Sequence, residues 1–197
     1  MTNTSAFGAP LTLDSDAVLI VVDVQQGFDD AEFWGVRDNP DAEKNIAAIA
    51  AAWQDSGRPV VVVRHASDGG PLQPGTPGHE LKPEAAGIRA DLHITKTVNS
   101  AFYGTPDLHA WLGERGARQV VVTGIMTNVC NESTARMAGN LGYDTVFPID
   151  AMHTFGLTGP DGVTVPAEEL ARGTAAVLHA MRFAKVVTTE AVLAAAV

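Results

Sequence analysis

The sequence contains a single cysteine, Cys130, among 197 residues. One cysteine cannot form an internal disulfide, which fits a reducing compartment. Basic residues are also scarce, because 13 lysines and arginines face 23 aspartates and glutamates, giving a formal net charge of −10. Nucleic acids and anionic membrane surfaces bind basic patches, so neither is an expected partner.

No apolar run approaches the length of a membrane span, and residues 1–16 lack the basic region and apolar core of a signal peptide. We therefore expect a cytoplasmic protein.

The hydrophobic fraction of 46% is typical of a globular chain. The length suits one ordinary domain with a sizeable core and is too short for two comfortable ones. We expect a single domain over residues 1–197, without internal repeats or linkers.

Segments with strand patterns and segments with helix patterns alternate along the chain. Apolar β-branched runs predict strands, and apolar stripes at helical spacing, bounded by glycine or proline, predict helices. The predicted strands are 17–22, 59–63, 92–95, 119–123, 143–149 and 185–188, and the main predicted helices begin near 39, 105, 127 and 166. This alternation predicts an α/β fold, a three-layer α/β/α sandwich around a mostly parallel, roughly six-stranded, Rossmann-like sheet.

Three residues with reactive side chains directly follow predicted strands. Asp23 follows the first strand, Lys96 the third and Cys130 the fourth. Parallel strands end at the same edge of a sheet, so these side chains are expected to converge there. A carboxylate could then accept the thiol proton, and an ammonium group could stabilise the thiolate. Taken singly, each residue is better explained as a turn aspartate, a solvated lysine or a small buried apolar cysteine.

The segment around Cys130 predicts a strand, a tight turn and a helix. Gly124 permits a sharp bend, and Thr127 or Asn128 can cap the helix that follows. Cys130 would then lie in the first helical turn, where unpaired N–H groups and the positive dipole end favour a thiolate. In the preceding helix, Pro106 is predicted to occupy the first position.

Three segments together resemble the isochorismatase-like cysteine hydrolase superfamily, which includes nicotinamidase, N-carbamoylsarcosine amidohydrolase and isochorismatase. The segments are VLIVVDVQQGF (18–28), ITKTVNSAF (94–102) and TGIMTNVCNESTARMA (123–138). They occur in order and span nearly the whole chain. The resemblance implies a hydrolase with the same α/β/α fold, whose Asp–Lys–Cys triad maps onto Asp23, Lys96 and Cys130.

The resemblance also implies a cis peptide bond between Ile125 and Met126. In the family this bond aims the N–H of the second residue, here Met126, at the same point as the N–H of Cys130. These two donors would form an oxyanion hole. The implied reaction is hydrolysis of an amide or related C–N bond through a thioester acyl-enzyme at Cys130, with Asp23 accepting the thiol proton.

The nicotinamidases of this superfamily carry a metal-binding Asp-x-His motif, with a further histidine, near the end of the second strand. The corresponding segment here, VVVVRHASDGG, contains His65 and no Asp-x-His motif. His79 could reach the same pocket, but two histidines without a placed carboxylate make a poor metal site. We predict no metal and no cofactor.

The loops 25–38, 64–90 and 151–165 are expected to form the rim of the site and to select the substrate. Candidate substrate contacts in or near these loops are Phe28, Trp34, His65, Phe102, Tyr103 and Phe155. The expected partner is a small-molecule substrate, and the resemblance implies a homo-oligomer.

Two alternatives to an amidohydrolase stay open from the sequence. One is an isochorismatase-type hydrolase of a vinyl ether, a reaction that needs no acyl-enzyme. The other is a catalytically idle α/β domain that serves assembly or binding.

Overall fold

The computed structural model describes residues 11–196, and within this range strands and helices alternate as predicted. The strands are β1 (Val18–Val22), β2 (Val60–His65), β3 (Leu92–Lys96), β4 (Gln119–Ile125), β5 (Asp144–Pro148), β6 (Met152–His153), β7 (Leu157–Thr158), β8 (Thr164–Val165) and β9 (Lys185–Val187). The α-helices are α1 (Ala31–Trp34), α2 (Ala42–Asp55), α3 (Pro83–Ala86), α4 (Leu108–Glu114), α5 (Glu132–Asn140), α6 (Ala167–Ala180) and α7 (Thr189–Ala196). Residues 1–10 and Val197 lie outside the described residues. The prediction that residues 1–16 are not a signal peptide therefore falls mostly outside them.

One parallel sheet forms the centre of the fold. Its main strands lie in the order β3-β2-β1-β4-β5-β9, and the short strand β6 pairs with the end of β4. Every neighbouring pair in this sheet is parallel; Val22 of β1, for example, lies beside Val63 of β2 and Gly124 of β4. The prediction of a mostly parallel, Rossmann-like sheet is confirmed, with β6 as an addition.

Two apolar layers cover the sheet, because successive residues of a strand point to opposite faces. Leu19 of β1 belongs to a core cluster with Ile49 of α2, and α3 and α7 pack on this side. Ile20 of β1 belongs to a second cluster with Leu112 of α4 and Ala135 of α5, on the side that α6 also covers. Burial on both faces accounts for the continuous apolar runs of the central strands, and the predicted three layers are confirmed.

The start of α4 differs from its prediction. The helix begins at Leu108 and not at Pro106, because the Asp107 side chain caps it by accepting the N–H of Ala110 at 2.9 Å. The peptide bond between Thr105 and Pro106, just before this cap, is cis.

The three rim loops contain short ordered elements. Loop 25–38 includes a 3₁₀ turn at Gln26–Asp29 and helix α1, and loop 64–90 includes a 3₁₀ turn at Pro77–His79 and helix α3. Loop 151–165 includes β6 and the antiparallel pair β7–β8. Among residues 11–196, no helix combines the length and apolar character that crossing a membrane requires.

Gly124 lets β4 pass close to β1 at the edge of the sheet where the site lies. Its φ is +131°, and a Cβ at this position would overlap the carbonyl oxygen of Val22. We predict that Gly124→Ala lowers the free energy of unfolding by roughly 3 kcal/mol or more, because both the backbone angle and the overlap oppose a side chain. Urea denaturation followed by circular dichroism measures the change.

Gly113→Ala is the matched control, because Gly113 lies within α4 and a Cβ there meets no atom within 4 Å. Alanine is the better helix former, so this variant should be neutral or more stable by about 0.5–1 kcal/mol. Equal stability of Gly124→Ala and the unsubstituted protein would contradict the packing argument.

Candidate active site

The site lies where β1 and β4 end side by side at the middle of the sheet. The chain leaves β1 toward α2 on one face and leaves β4 toward α5 on the other, so a crevice opens beyond the carboxyl ends of these strands. Asp23 follows β1 directly, Lys96 is the last residue of β3, and Cys130 lies in the turn between β4 and α5.

Asp23, Lys96 and Cys130, which we call the Asp–Lys–Cys cluster, meet in this crevice. Lys96 Nζ lies 2.6 Å from Asp23 Oδ2 and 3.4 Å from Cys130 Sγ. The side chains of Asp23 and Lys96 are both 0% exposed, and Cys130 is 6% exposed. The structure therefore brings together the three strand-end residues in a buried cluster.

The sulfur of Cys130 carries its proton at neutral pH. Burial, followed by the neighbouring Asp23 carboxylate, raises the pKa of the Cys130 thiol to about 12, although the Lys96 ammonium group opposes both. The expectation that a helix start favours a thiolate here is wrong for the resting protein, because the loss of hydration outweighs the nearby positive charge.

Asp23 supplies an acceptor for that proton. Burial raises the pKa of the Asp23 carboxyl group, and the Lys96 ammonium group opposes this effect without cancelling it. Oδ2 of Asp23 is paired with Lys96, whereas the buried Oδ1 has no hydrogen-bond partner among residues 11–196. An oxygen of this carboxylate lies within 4.8 Å of Cys130 Sγ, so the carboxylate is placed where it can accept the thiol proton.

His65, a predicted pocket residue, contacts the cluster directly. Its Nδ1 lies 3.0 Å from Lys96 Nζ. An ammonium group only donates hydrogen bonds, so Nδ1 is the acceptor and carries no proton. Burial and the Lys96 charge lower the pKa of His65, although Asp23 opposes them, and the ring is therefore neutral near physiological pH.

Gln25 is a site residue that the sequence reasoning missed. Its side-chain Oε1 accepts the N–H of His65 at 2.8 Å, and its Nε2 donates to the carbonyl oxygens of His65 at 3.1 Å and His79 at 3.0 Å. Gln25 is fully buried and Gln26 is exposed. Two adjacent glutamines after Asp23 were the only signal, and nothing in the sequence separates the buried one from its neighbour.

A π-helical turn over Thr127–Asn131 joins β4 to α5 and carries Cys130. The peptide bond before it, Ile125–Met126, is cis. The predicted helix cap is wrong, because no side chain caps this turn or α5. The Asn128 side chain instead accepts a hydrogen bond from the Thr154 hydroxyl group, which ties the turn to the loop after β6.

A grouping of donor atoms that could hold a metal coincides with the cluster. One ligand atom each from Asp23, His65 and Cys130 lies within 4.8 Å of the others. Lys96 Nζ, however, contacts all three side chains, at 2.6, 3.0 and 3.4 Å. A metal ion bound to these atoms would face the charge of the ammonium group, so the donor set does not fit one. His79 adds a buried Nε2 without a hydrogen-bond partner among residues 11–196, and the absence of a metal stays a prediction.

The predicted pocket aromatics fall into two groups. Three of them, Phe28, Trp34 and Phe155, pack against one another with ring centroids 4.9 to 6.3 Å apart, and Phe155 stacks on the other two. Phe102 instead stacks on Tyr143 at 5.9 Å, and Tyr103 is 67% exposed. The rings of Phe28, Trp34 and Phe155 therefore cover much of one another's surface. Contact of any of these aromatic residues with a substrate stays a prediction.

A largely buried ionic network ties two rim loops to α2. Glu43 of α2 accepts two hydrogen bonds from Arg37 and one from Lys82, each at 2.7 Å, and Lys82 also contacts Asp29 at 2.6 Å. Burial alone would raise the pKa of Glu43, but His153, Arg37 and Lys82 hold it well below its usual range. The Glu43 carboxylate thus holds both loop 25–38 and loop 64–90 against α2.

Comparison with known sequences gives a family match over most of the chain. Residues 17–191 match the isochorismatase domain. The chain is 37% identical over 180 residues to the isochorismatase family protein YrdC of Bacillus subtilis, covering 90% of this chain and 95% of YrdC. It is 32% identical over 184 residues to the ureidoacrylate amidohydrolase RutB of Variovorax paradoxus, covering 75% of this chain and 73% of RutB.

Solved structures show the same fold. An isochorismatase-family protein from Chromobacterium violaceum superposes with a TM-score of 0.89 at 36% identity, covering 96% of this chain and 98% of that protein. The nicotinamidase of Staphylococcus aureus superposes with a TM-score of 0.68 at 22% identity, covering 89% of this chain and 99% of the nicotinamidase. The second likeness concerns the fold alone.

The buried thiol should react slowly with alkylating agents at neutral pH. The thiolate is the reactive form and the pKa of Cys130 is about 12, so we predict that the alkylation rate still rises above about pH 10. Iodoacetamide labelling followed by mass spectrometry measures the rate, and the adduct is unambiguous because Cys130 is the only cysteine.

Urea-unfolded protein is the control for this labelling, and its rate should level off near the pKa of a free thiol, about 8.5. A folded-state rate that levels off in the same range would show that the sulfur is not held as a buried thiol.

Proposed function

Because the chain belongs to the isochorismatase family of hydrolases, we propose that it hydrolyses an amide or related C–N bond of a small molecule, with Cys130 as the nucleophile. The observation that carries this proposal is the contact between Cys130 and the buried Asp23–Lys96 ion pair. The amidohydrolase RutB, which is named for ureidoacrylate, supports the amide class.

In the first half-reaction the Cys130 thiol proton moves to the Asp23 carboxylate while the sulfur attacks the carbonyl carbon of the substrate. A C–S bond forms, and the carbonyl π electrons move onto the oxygen. The Lys96 ammonium group stabilises the negative charge that develops on sulfur. Asp23 then gives the proton to the leaving nitrogen, the C–N bond breaks, and the amine or ammonia departs from a thioester at Cys130.

The proposed donors to the substrate oxygen are the backbone N–H groups of Met126 and Cys130. Met126 directly follows β4, and Cys130 lies in the π-helical turn that comes next. Backbone donors fixed in this way need no reorganisation when charge develops on the oxygen, and that is why such donors accelerate acyl transfer.

In the second half-reaction Asp23 takes a proton from a water molecule, whose oxygen attacks the thioester carbonyl. The C–S bond breaks, the proton held by Asp23 returns to sulfur, and the carboxylic acid product leaves. Asp23 therefore acts alternately as base and acid. A pKa raised by burial suits both tasks, because it brings the carboxyl group closer to the pH at which the reaction runs.

Substitution of the cluster tests the proposal. Cys130→Ala and Asp23→Asn should each lower amide hydrolysis by about 1,000-fold or more, because the nucleophile or its base is lost. Amine or ammonia release across a panel of carboxamides, carbamoyl and ureido compounds measures turnover, and circular dichroism checks folding. Cys130→Ala leaves the ion pair intact, so it separates chemistry from stability.

Asp16→Asn is the control variant, because Asp16 is an exposed aspartate outside the cluster, and it should keep full turnover. Retained turnover in Cys130→Ala or Asp23→Asn would refute the assigned roles. Hydrolysis of a vinyl ether without amine release from any amide would favour the isochorismatase-type alternative.

The rate of hydrolysis should fall on the acid side as Asp23 becomes protonated. Burial raises the pKa of Asp23, and below that pKa the carboxyl group can no longer accept the thiol proton. We therefore predict an acid limb in kcat/KM with a midpoint above the ordinary aspartate pKa of about 3.9. The same fall in kcat/KM at acid pH should occur in His65→Asn, because this variant has no imidazole at position 65 that could titrate instead of Asp23. A midpoint at or below about 4 would contradict Asp23 as a buried base.

Homo-oligomeric assembly and a cytoplasmic location stay predictions for this chain. The proposed partner is a small-molecule substrate, and loops 25–38, 64–90 and 151–165 are the proposed determinants of its identity. Loop 25–38 and the end of loop 64–90 are fixed to α2 through Glu43, which supports a rim of defined shape.

A further inference from the structure

Lys96 has to reach across a strand to meet Asp23. In the sheet, β3, β2 and β1 are consecutive, so the two residues lie two strand spacings apart, or about 10 Å between backbones. The intervening strand β2 ends at His65, which pairs in register with Lys96. The imidazole ring of His65 therefore stands beside the extended lysine side chain.

The ammonium group of Lys96 has three N–H donors and three neighbours that can accept them. Nζ lies 2.6 Å from Asp23 Oδ2, 3.0 Å from His65 Nδ1 and 3.4 Å from Cys130 Sγ. Because an ammonium group carries no acceptor and only three donors, this arrangement uses each donor once. The contact with His65 thus fixes the rotation of the group that faces the sulfur.

His65 is itself held through its backbone. The Gln25 side chain accepts the His65 N–H at 2.8 Å and donates to the His65 carbonyl oxygen at 3.1 Å. This clamp does not use the imidazole ring, so a substitution at position 65 removes the contact with Lys96 and leaves the backbone contacts in place.

The groups around His65 keep its ring in the accepting form. Lys96 Nζ contacts Nδ1, one donor atom each of Asp23 and Cys130 lies within 4.8 Å of a ring nitrogen, and His79 of the 3₁₀ turn Pro77–His79 lies close enough for its charge to act on the ring. The positive charge of Lys96 disfavours a second positive charge on the ring. Nδ1 therefore stays unprotonated, and the ring proton resides on Nε2.

We propose that His65 is a positioning residue whose Nδ1 accepts the N–H of Lys96 that neither Asp23 nor Cys130 uses, and so holds the ammonium group against the reacting sulfur. This role rests on the proposed function, because it acts on the negative charge that develops on sulfur during amide hydrolysis. Without the contact, the ammonium group can rotate toward Asp23 and lose its alignment with Cys130.

Two substitutions at position 65 separate the effect of a hydrogen-bond acceptor from the effect of side-chain volume. His65→Asn keeps an oxygen acceptor near the position of Nδ1, whereas His65→Leu fills a similar volume and has no acceptor. The control is His93→Leu, which removes an exposed histidine from the neighbouring strand β3. The first measurement is the rate of Cys130 alkylation by iodoacetamide at one alkaline pH, for which no substrate is needed.

We expect His65→Leu to alkylate about tenfold more slowly, equivalent to one unit of further rise in the thiol pKa. His65→Asn and His93→Leu should stay within about threefold of the unsubstituted protein. On an amide that the unsubstituted protein hydrolyses, His65→Leu should lower kcat by about 10- to 100-fold with KM changed less than about threefold. A folded His65→Leu with full alkylation rate, or a His65→Asn as impaired as His65→Leu, would overturn the role.

Nitrogen-15 NMR of the histidine side chains tests the same proposal without relying on a folded variant. The His65 ring should be neutral, with its proton on Nε2; a proton on Nδ1 at neutral pH would overturn the proposal.

Failure of the proposed function and failure of the positioning role can be told apart. Graded alkylation without hydrolysis of any amide would refute only the amidohydrolase, whereas full hydrolysis by His65→Leu would refute only the positioning role.

Discussion

Asp23 and Lys96 form a buried ion pair at the centre of the site, and Cys130 and His65 are arranged around it. Neither Asp23 nor Lys96 exposes any side-chain surface, and either charge buried alone would cost several kcal/mol. Apolar residues of similar volume would often stabilise a fold as well or better, so the pair is better explained by chemistry than by stability. Cys130 lies against this pair, and burial raises the pKa of its thiol to about 12.

The fold holds the cluster through contacts that lie outside it. Parallel strands bring the three residues to one edge of the sheet, and Gly124 leaves room there for the carbonyl oxygen of Val22 in β1. Gln25 then fixes the end of β2 to the loop after β1, and Glu43 anchors two rim loops. Reactive groups must be held closely to work together, and these rigid supports supply that precision.

The architecture could be predicted from the sequence because strand and helix periodicity alternate without interruption, and the site could be located because Asp23, Lys96 and Cys130 each follow a strand. The protonation state of Cys130 could not be predicted, since burial depends on the packing of the whole site and here outweighs the helix-start effect. The role of Gln25 could not be predicted either, because a polar residue after a strand resembles a solvated loop residue. Only the structure reveals the three hydrogen bonds of its side chain. The helix α4 begins at Leu108 and not at Pro106, because the Asp107 side chain caps it and so decides the boundary.

The role of Cys130 as the nucleophile can be tested by trapping the acyl-enzyme. The protein would be quenched in acid during turnover of an amide identified by the panel, or of the activated ester p-nitrophenyl acetate, and digested for mass spectrometry. We predict one acyl group on the peptide that contains Cys130, and none on that peptide in Cys130→Ala. Turnover that leaves Cys130 unmodified while an acyl group forms on another side chain would contradict Cys130 as the nucleophile.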